Sequence, residues 1–285
     1  MRLGPFQVTF HRTTVNKTLY IVSTPIGNLE DITLRALRTL READLIACED
    51  TRQTRKLLDH YGIAKPVTSY HDHNEAARTA ELIERLERGE NIALVSDAGT
   101  PLISDPGYRL VAAAIAAGIA VVPIPGPSAV TGALAAAGLG TDSFRFCGFL
   151  PPKTSQRQKV FEELKHEACT LVFYEAPHRI LETLEDIAAV MRTRPVVIAR
   201  ELTKLHEEFL RGTAAELHVT LAARPSVKGE ITLLIGKAEG VEEDDTPIEQ
   251  SIRALETSGI SRMDAIKQVA KARGLSKREV YKLTL

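Results

Sequence analysis

The sequence has no tryptophan, and only six tyrosines and eight phenylalanines among 285 residues. So few rings argue against a broad stacking platform for single-stranded bases. Three cysteines, Cys48, Cys147 and Cys169, are odd in number and far apart, with no Cys-x-x-Cys pair. A disulfide framework and a cysteine zinc site are therefore not expected, and the thiols read as small apolar core residues in a reducing compartment. An excess of one charge is also missing: 36 Lys and Arg stand against 37 Asp and Glu, a net charge of −1. That excludes an indiscriminate nucleic-acid binder but not a local basic patch. The longest apolar stretch, Val111–Val122, is Ala-rich and interrupted by Gly118, so no membrane span is expected. The N-terminus lacks a charged, apolar, small-residue signal pattern, which points to a cytoplasmic protein, and residues 1–17 read as a flexible extension. Neither Gly-x-Gly-x-x-Gly nor Gly-x-x-x-x-Gly-Lys-Ser/Thr occurs, so the dinucleotide fingerprint and the phosphate loop are both missing. His71-Asp72-His73 is a short run without a third ligand at metal spacing, and no metal is expected.

What is present is an alternation. Leu19–Val22, Leu45–Cys48, Ile92–Val95 and Ile119–Ile124 read as strands, with Leu34, Leu37 and Leu40 at helical spacing and an apolar-striped helix over Tyr108–Ala117. Strands spaced by helices imply βαβ units and a parallel sheet. A second block offers strands at Phe144–Leu150, Thr170–Tyr174, Val196–Ala199 and Ile231–Ile235, with a helix over Ile180–Met191. The expected architecture is two α/β domains, residues 18–139 and 140–240, hinged near Gly138–Asp142 where Gly, Thr and Asp cluster. Glu242–Asp245 is four consecutive acids and reads as a solvated linker. Residues 246–285 form a third unit. Thr246-Pro247-Ile248-Glu249 reads as a capping box with Pro at the first helical position, and Ser261 with Asp264 and Ser276 with Glu279 repeat the start signal. Gly259 and Gly274 sit where helices should stop, so three short helices are predicted. This tail holds eight Lys or Arg and four Asp or Glu, a net charge of 8 − 4 = +4.

The informative feature is where Gly and Pro fall. Ser23-Thr24-Pro25-Ile26-Gly27-Asn28-Leu29 follows the first strand. Ser96-Asp97-Ala98-Gly99-Thr100-Pro101, completed by Ser104-Asp105-Pro106-Gly107, follows Ile92–Val95. Pro125-Gly126-Pro127-Ser128-Ala129 ends the run that follows Ile119–Ile124. Ligands of open α/β sheets bind outside the carboxyl ends of the strands, where Gly permits close backbone approach and Pro stiffens the loop. Three such loops at one sheet edge suggest a small-molecule site. A rim of backbone groups and small side chains suits an adenosine with an amino-acid tail better than a triphosphate.

The loops resemble those of the tetrapyrrole-methylase superfamily. Longer strings are similar to its RsmI-type branch of bacterial 16S rRNA (cytidine-2′-O)-methyltransferases: Leu19 to Thr33, Cys48-Glu49-Asp50-Thr51-Arg52, Ser96 to Pro101, Gly148-Phe149-Leu150-Pro151-Pro152-Lys153, Tyr174-Glu175-Ala176-Pro177-His178-Arg179 and Arg200-Glu201-Leu202-Thr203-Lys204. The resemblance runs from about Thr18 to the C-terminus. It implies S-adenosylmethionine (SAM) held between two α/β domains, with no metal, transfer of its methyl to a ribose in the decoding region of 16S rRNA, and a homodimer. It assigns cofactor contacts to Pro25, Ile26, Gly99, Thr100, Ile103, Ser128, Ala129 and Tyr174, and also to Glu201 and to Glu230 in Gly229-Glu230-Ile231. Thr100 replaces the Asp of the related Gly-Asp-Pro loop, so Asp97 is the candidate carboxylate there.

A ribose hydroxyl is a poor nucleophile until a positioned base draws off its proton or a cation stabilises the alkoxide. Lys153, Glu175 and Glu201 are the candidates for that group, and each is also readable as a solvated or structurally paired charge. Lys153, Arg157, Lys159 and Arg179, with the basic tail, are candidate contacts to an RNA backbone, read as a patch rather than singly. Two alternatives stand beside rRNA methylation: a methylase of a tetrapyrrole or other small molecule, and a ribosome-assembly factor that binds SAM or RNA without turnover. Lys153 and the +4 tail favour RNA.

Overall fold

The computed structural model describes residues 17–238, 247–272 and 275–282. Most of residues 1–17, the acidic run Glu242–Asp245, Thr246 and Gly274 lie outside the described residues, and the expectations placed on them are neither met nor changed.

Strands β1 (Thr18–Val22), β2 (Leu45–Cys48), β3 (Val67–Ser69), β4 (Ile92–Val95) and β5 (Ala120–Ile124) form one all-parallel sheet in the order β3-β2-β4-β1-β5. Every residue of β2 and β4 is buried, as a parallel sheet covered on both faces requires. The two-residue period sorts β4 cleanly. Ile92 and Leu94 pack with Leu82 and Leu86 of α3 (Glu75–Glu87) and Leu110 of α4 (Tyr108–Ala116), whereas Ala93 and Val95 face Leu40 of α1 (Leu34–Glu42) and Leu58 of α2 (Thr51–His60). Thr33 caps α1 by accepting from the Ala36 amide at 3.0 Å, and Asp50 caps α2 by accepting from the Arg52 amide at 2.8 Å. At the outer edge of the sheet, β5 carries Pro123 opposite Ile21.

The connections leave adjacent strands β1 and β4 in opposite directions, toward β2 and toward β5. That reversal opens a crevice at their carboxyl ends. The three Gly/Pro loops of the sequence follow β1, β4 and β5, three neighbouring strands, so the topology brings them together.

The second sheet has the order β6-β7-β10-β8-β9, built from β6 (Phe144–Phe149), β7 (Thr170–Glu175), β8 (Pro195–Arg200), β9 (Glu208–Thr213) and β10 (Ile231–Ile235). Only β6 and β7 run parallel; β10 is antiparallel to both neighbours, and β9 to β8. The parallel pairing read for the first block therefore does not extend to this half. The cause is the short turn between β8 and β9 and the return of β10 between β7 and β8, neither of which is a βαβ crossover. Helices α6 (Thr154–Leu164), α7 (Ile180–Met191) and α8 (Ala214–Ala222) cover one face through Phe161, Leu184, Ile187 and Leu217. The other face receives α5 (Ala129–Ala137), the helix that leaves the first sheet: Val130, Ala133, Leu134 and Ala137 pack on Val172, Val197, Ala199 and Leu234. Arg211 of β9 donates to the carbonyls of Ala136 at 2.6 Å and Ala137 at 3.1 Å, satisfying the exposed end of α5. Gly138 then ends the helix in the left-handed conformation, φ 75°.

Helices α9 (Ile248–Thr257), α10 (Arg262–Ala272) and α11 (Lys277–Lys282) enclose a core of their own around Ile252, Ile266, Val269 and Val280. Ser261 accepts from the Asp264 amide, and Ser276 and Glu279 form a reciprocal capping pair, so two of the three start signals operate as read. The first helix begins one residue later than expected: Pro247 is its cap and Ile248 its first residue.

Edge strand β9 is tied down by charge. Arg224 reaches both oxygens of Glu208 at 2.6 and 2.8 Å, and Arg200 reaches one at 3.1 Å. The hydrogen bonds from Arg224, then those from Arg200, hold the Glu208 carboxyl down at about 2. A depressed carboxyl pKa contributes stability above the unfolded value that is lost as pH falls through the folded value. Glu208→Gln should therefore lower the urea midpoint at neutral pH and flatten its decline between the ordinary carboxylate range and about 2, measured by urea titrations across that window.

Candidate functional site

The carboxyl edge of the first sheet faces one edge of the second. There β7 ends at Tyr174 and Glu175, β10 begins at Ile231, and β8 ends at Arg200, with Ile231 paired to both Glu175 and Arg200. Between the two edges lies a cavity of about 450 Å³, a volume suited to a small molecule or cofactor.

The first-sheet loops are stitched to one another before any ligand is considered. Thr24 and Gly99 exchange backbone hydrogen bonds at 2.8 and 3.0 Å. The Ser23 and Thr100 hydroxyls lie 2.9 Å apart, and the Thr24 hydroxyl donates to the Ser96 carbonyl at 3.1 Å. The third loop closes against the first at Gly126, where an added Cβ would lie 2.8 Å from that of Ser23. The loop after β4 is strained as well. Leu102 and Ser104, neither a glycine, adopt φ of 73° and 69°, at a cost of about 1–3 kcal/mol each that tertiary contacts must offset.

Nine of the eleven residues assigned to the cofactor line this cavity: Ile26, Asp97, Gly99, Thr100, Ile103, Ser128, Ala129, Tyr174 and Glu230. The other two, Glu201 and the buried Pro25, do not reach the lining. The second-sheet wall is aromatic and aliphatic. Tyr174 stacks edge-on against Phe146 at 5.0 Å and lies 5.4 Å from Phe149, with Ala199 and Leu202 beside it. The polar rim is acidic. Asp97, Asp105, Glu175 and Glu230 are all on the lining. Burial pushes the Asp105 carboxyl up, and the charges of Asp97 and Asp72 add to the effect. Burial also raises Glu49, followed by Asp97 and Asp105.

Lys204 and Arg179, beside the second-sheet wall, are already paired with acids. Lys204 donates to Glu201 at 2.9 Å and to Glu230 at 3.0 Å, and this bond to Lys204 is the leading cause that holds the Glu201 carboxyl low. The Lys204 stem lies against Gly27, where an added Cβ would meet its Cγ at 2.4 Å, so the first loop and the β8–β9 turn close on each other. Glu201, at φ 53°, also accepts from the Glu230 amide at 2.9 Å and lies over Gly229.

Several chemical assignments change accordingly. Glu175 is buried with its carboxylate fully engaged: it accepts from the Ala176 amide and the Thr183 hydroxyl, each at 2.7 Å, and pairs with Arg179 at 2.5 Å. It supports the strand end rather than offering a free base, and Glu201 is held in the same way. Lys153 is exposed at the N-terminal cap of α6 and does not line the cavity. The three candidates for the proton-handling group thus do not converge.

Among the candidate RNA contacts, Arg157 is corrected outright. It is fully buried, bonded to Asp186 at 2.7 Å, to the Pro152 carbonyl at 3.0 Å and to Thr154 and Glu182. Its charge anchors the Pro151-Pro152-Lys153 turn and is not available to a phosphate. Arg179 also turns inward, onto Glu175. Lys159 remains exposed beside Glu163. Asp105, which the sequence reading treated only as part of a turn, belongs to the cavity; its signal was an acid before Pro in a Gly-rich loop at a strand end.

Among the described residues, no group of three His, Cys, Asp or Glu is placed to hold a metal ion, and no helix is long and apolar enough to cross a membrane.

Two facing α/β layers around a cleft at the strand ends define a methylase-type architecture. The sequence matches the family described as Tetrapyrrole (Corrin/Porphyrin) Methylases over residues 18–218, and the chain belongs to that family. It is similar to the ribosomal RNA small subunit methyltransferase I of Halalkalibacterium halodurans, 52% identical over 273 residues, covering 93% of this chain and 94% of that protein. The protein of the same name from Bacillus subtilis is 42% identical over 282 residues, covering 96% of each. Among solved structures, diphthine synthase superposes with a TM-score of 0.60 at 16% identity, over 77% of this chain and 90% of that one. A cobalt precorrin-4 methyltransferase gives 0.54 at 18%, over 78% and 96%. These last two likenesses show the fold.

Asp186 also accepts from Gln158 at 2.7 Å. Removing it leaves the Arg157 guanidinium buried without its main partner, so Asp186→Ala should cost about 3–5 kcal/mol, measured by urea unfolding.

Proposed function

We propose that the protein transfers the methyl group of SAM to the 2′-oxygen of a cytidine ribose in the decoding region of 16S rRNA. The observation that carries the reading is the cleft itself: an apolar wall for a nucleoside, close backbone turns, and an acidic rim whose neighbouring cations are already neutralised. Those features favour a ligand with cationic centres and disfavour a phosphate. SAM fits this test, since it carries a sulfonium and an ammonium. Similarity to small-subunit rRNA methyltransferases over more than nine-tenths of the chain supports an rRNA substrate.

In this reading Ile26, Ala129 and Tyr174 bracket the adenosine, and the Gly99–Thr100 turn with Ser128 supplies backbone and hydroxyl groups. Asp97 and Glu230 face the cationic end. The cofactor supplies an activated methyl on a good leaving group. The chain's own task is to align the ribose oxygen, exclude water and manage the proton. Exposed Lys153 and Lys159 and the basic unit at residues 246–285 would hold RNA phosphates outside the cleft. The enzyme would act in the cytoplasm as a homodimer of chains with domains at 18–139 and 140–240.

Labelled SAM, incubated with free 16S rRNA or assembled small subunits and followed by mapping of ribose methylation, tests the reading. Transfer to one cytidine 2′-oxygen is expected, and no transfer to either substrate would sink it. Lys153→Ala should lower kcat/KM for RNA about tenfold and reduce the salt slope by about one, as loss of one phosphate contact does. SAM affinity should stay at the wild-type value; a large loss would move Lys153 into the cofactor site. Deleting residues 247–285 should raise the KM for RNA and leave SAM binding unchanged in isothermal titration.

A further inference from the structure

We infer that Asp105 is the catalytic base that accepts the ribose proton during methyl transfer. The inference rests on the function proposed above.

Four carboxylates line the cavity, and three are committed. Glu175 is engaged by an amide, a hydroxyl and a guanidinium. Glu230 is paired with Lys204 at 3.0 Å. Asp97 is exposed and accepts from the Asp50 amide at 3.1 Å, which ties it to the start of α2. Asp105 is half-buried and, among the described residues, is in no ion pair; the Ser96 hydroxyl, which donates to the Ala98 carbonyl at 3.2 Å, is the polar group that partly offsets its burial.

Its backbone is held unusually firmly. The loop passes through left-handed or otherwise positive φ at Gly99, Leu102, Ser104 and Gly107, and Pro106 fixes the residue that follows Asp105. At Gly107 an added Cβ would come within 2.9 Å of Leu94, so the loop end is seated directly on the sheet. Strain of this kind persists where the surroundings over-determine a conformation, and a carboxylate on such a loop is placed with little freedom. The loop also meets the second sheet, with Ser104 near Gly148, and Asp105 lines the cavity between the two layers.

The surrounding charges tune it for proton acceptance. Asp97 from the same loop, Asp72 after β3 and Glu49 after β2 are all acidic, and Tyr174 of β7 faces it with a phenol that burial and then Asp105 itself raise. Burial and like charge make the carboxylate more basic than one in water, which suits it to accept a proton from a weakly acidic hydroxyl. As the ribose oxygen bonds to the methyl carbon, the methyl–sulfur bond breaks with its electron pair staying on sulfur. The hydroxyl proton passes to Asp105. The sulfonium charge and the carboxylate charge disappear together, and Asp105 afterwards releases the proton to water.

Asp105→Asn keeps the shape and removes the base. With small subunits as substrate, it should lower kcat by about a hundredfold or more, in the range general bases contribute. The Kd for S-adenosylhomocysteine should stay within about threefold of wild type, a shift of under 1 kcal/mol that also reports a folded cleft. In the wild type, kcat should rise with pH through a carboxyl titration displaced above the ordinary range, and that rise should be absent from Asp105→Asn. Asp105→Glu should recover part of kcat and the rise. An Asn variant with near-wild-type kcat and an unchanged pH profile would overturn the assignment. So would loss of cofactor binding with kcat retained at saturation, which would make Asp105 a cofactor contact. Failure of the wild type to methylate any RNA would overturn both this assignment and the function on which it rests. Wild-type transfer with an indifferent Asn variant would overturn this one alone.

Discussion

The packing of α5 on the second sheet fixes the arrangement of everything else. This helix begins at the third Gly/Pro loop and lays Val130, Ala133, Leu134 and Ala137 on Val172, Val197 and Leu234. Small residues let it sit close, and Arg211 satisfies carbonyls at its far end. One rigid helix therefore spans from the loop after β5 to the middle of the other sheet. The cleft inherits its width from that contact. A second closure, the Lys204 stem against Gly27, acts on the opposite side of the mouth.

Charge is divided across the molecule in a way that net composition conceals. The cleft is acidic, and cations next to it are paired internally: Lys204 with Glu201 and Glu230, Arg179 with Glu175, Arg200 with Glu208. Unpaired positive charge is displaced to surfaces such as Lys153. On the proposed function, a polyanion drawn to those outer lysines would meet an acidic interior suited to a cationic donor and unfavourable to phosphate. In the proposed reading this separation keeps the nucleic-acid backbone outside and lets only the reacting ribose approach.

The first sheet was largely legible because parallel strands buried on both faces appear as short apolar runs, and because Gly and Pro mark their carboxyl ends. Residues assigned to the cofactor line the cavity for the same reason: their positions follow from loops rather than distant contacts. What escaped the sequence depends on pairing across space. Val67–Ser69 is only three residues and half-buried, and Glu208–Thr213 mixes charge with Gly, so neither β3 nor β9 carries a periodic signal. The antiparallel return of β10 has no local signature. Arg157 sits among Gln156, Gln158 and Lys159 and looks like part of a solvated face. Its burial is decided by Asp186, 29 residues away on another helix.

The exposed rim of the first sheet carries a further consequence. Strand β5 closes that sheet, and Pro123 in its middle has no amide hydrogen to offer. At the other rim, β3 is only three residues long. Open strand edges are templates for aggregation, and a proline or a very short edge strand interrupts the ladder such growth requires. Self-association through this half is thereby steered away from continuous intermolecular sheets and toward contacts made by side chains, which can be selected for a defined stoichiometry.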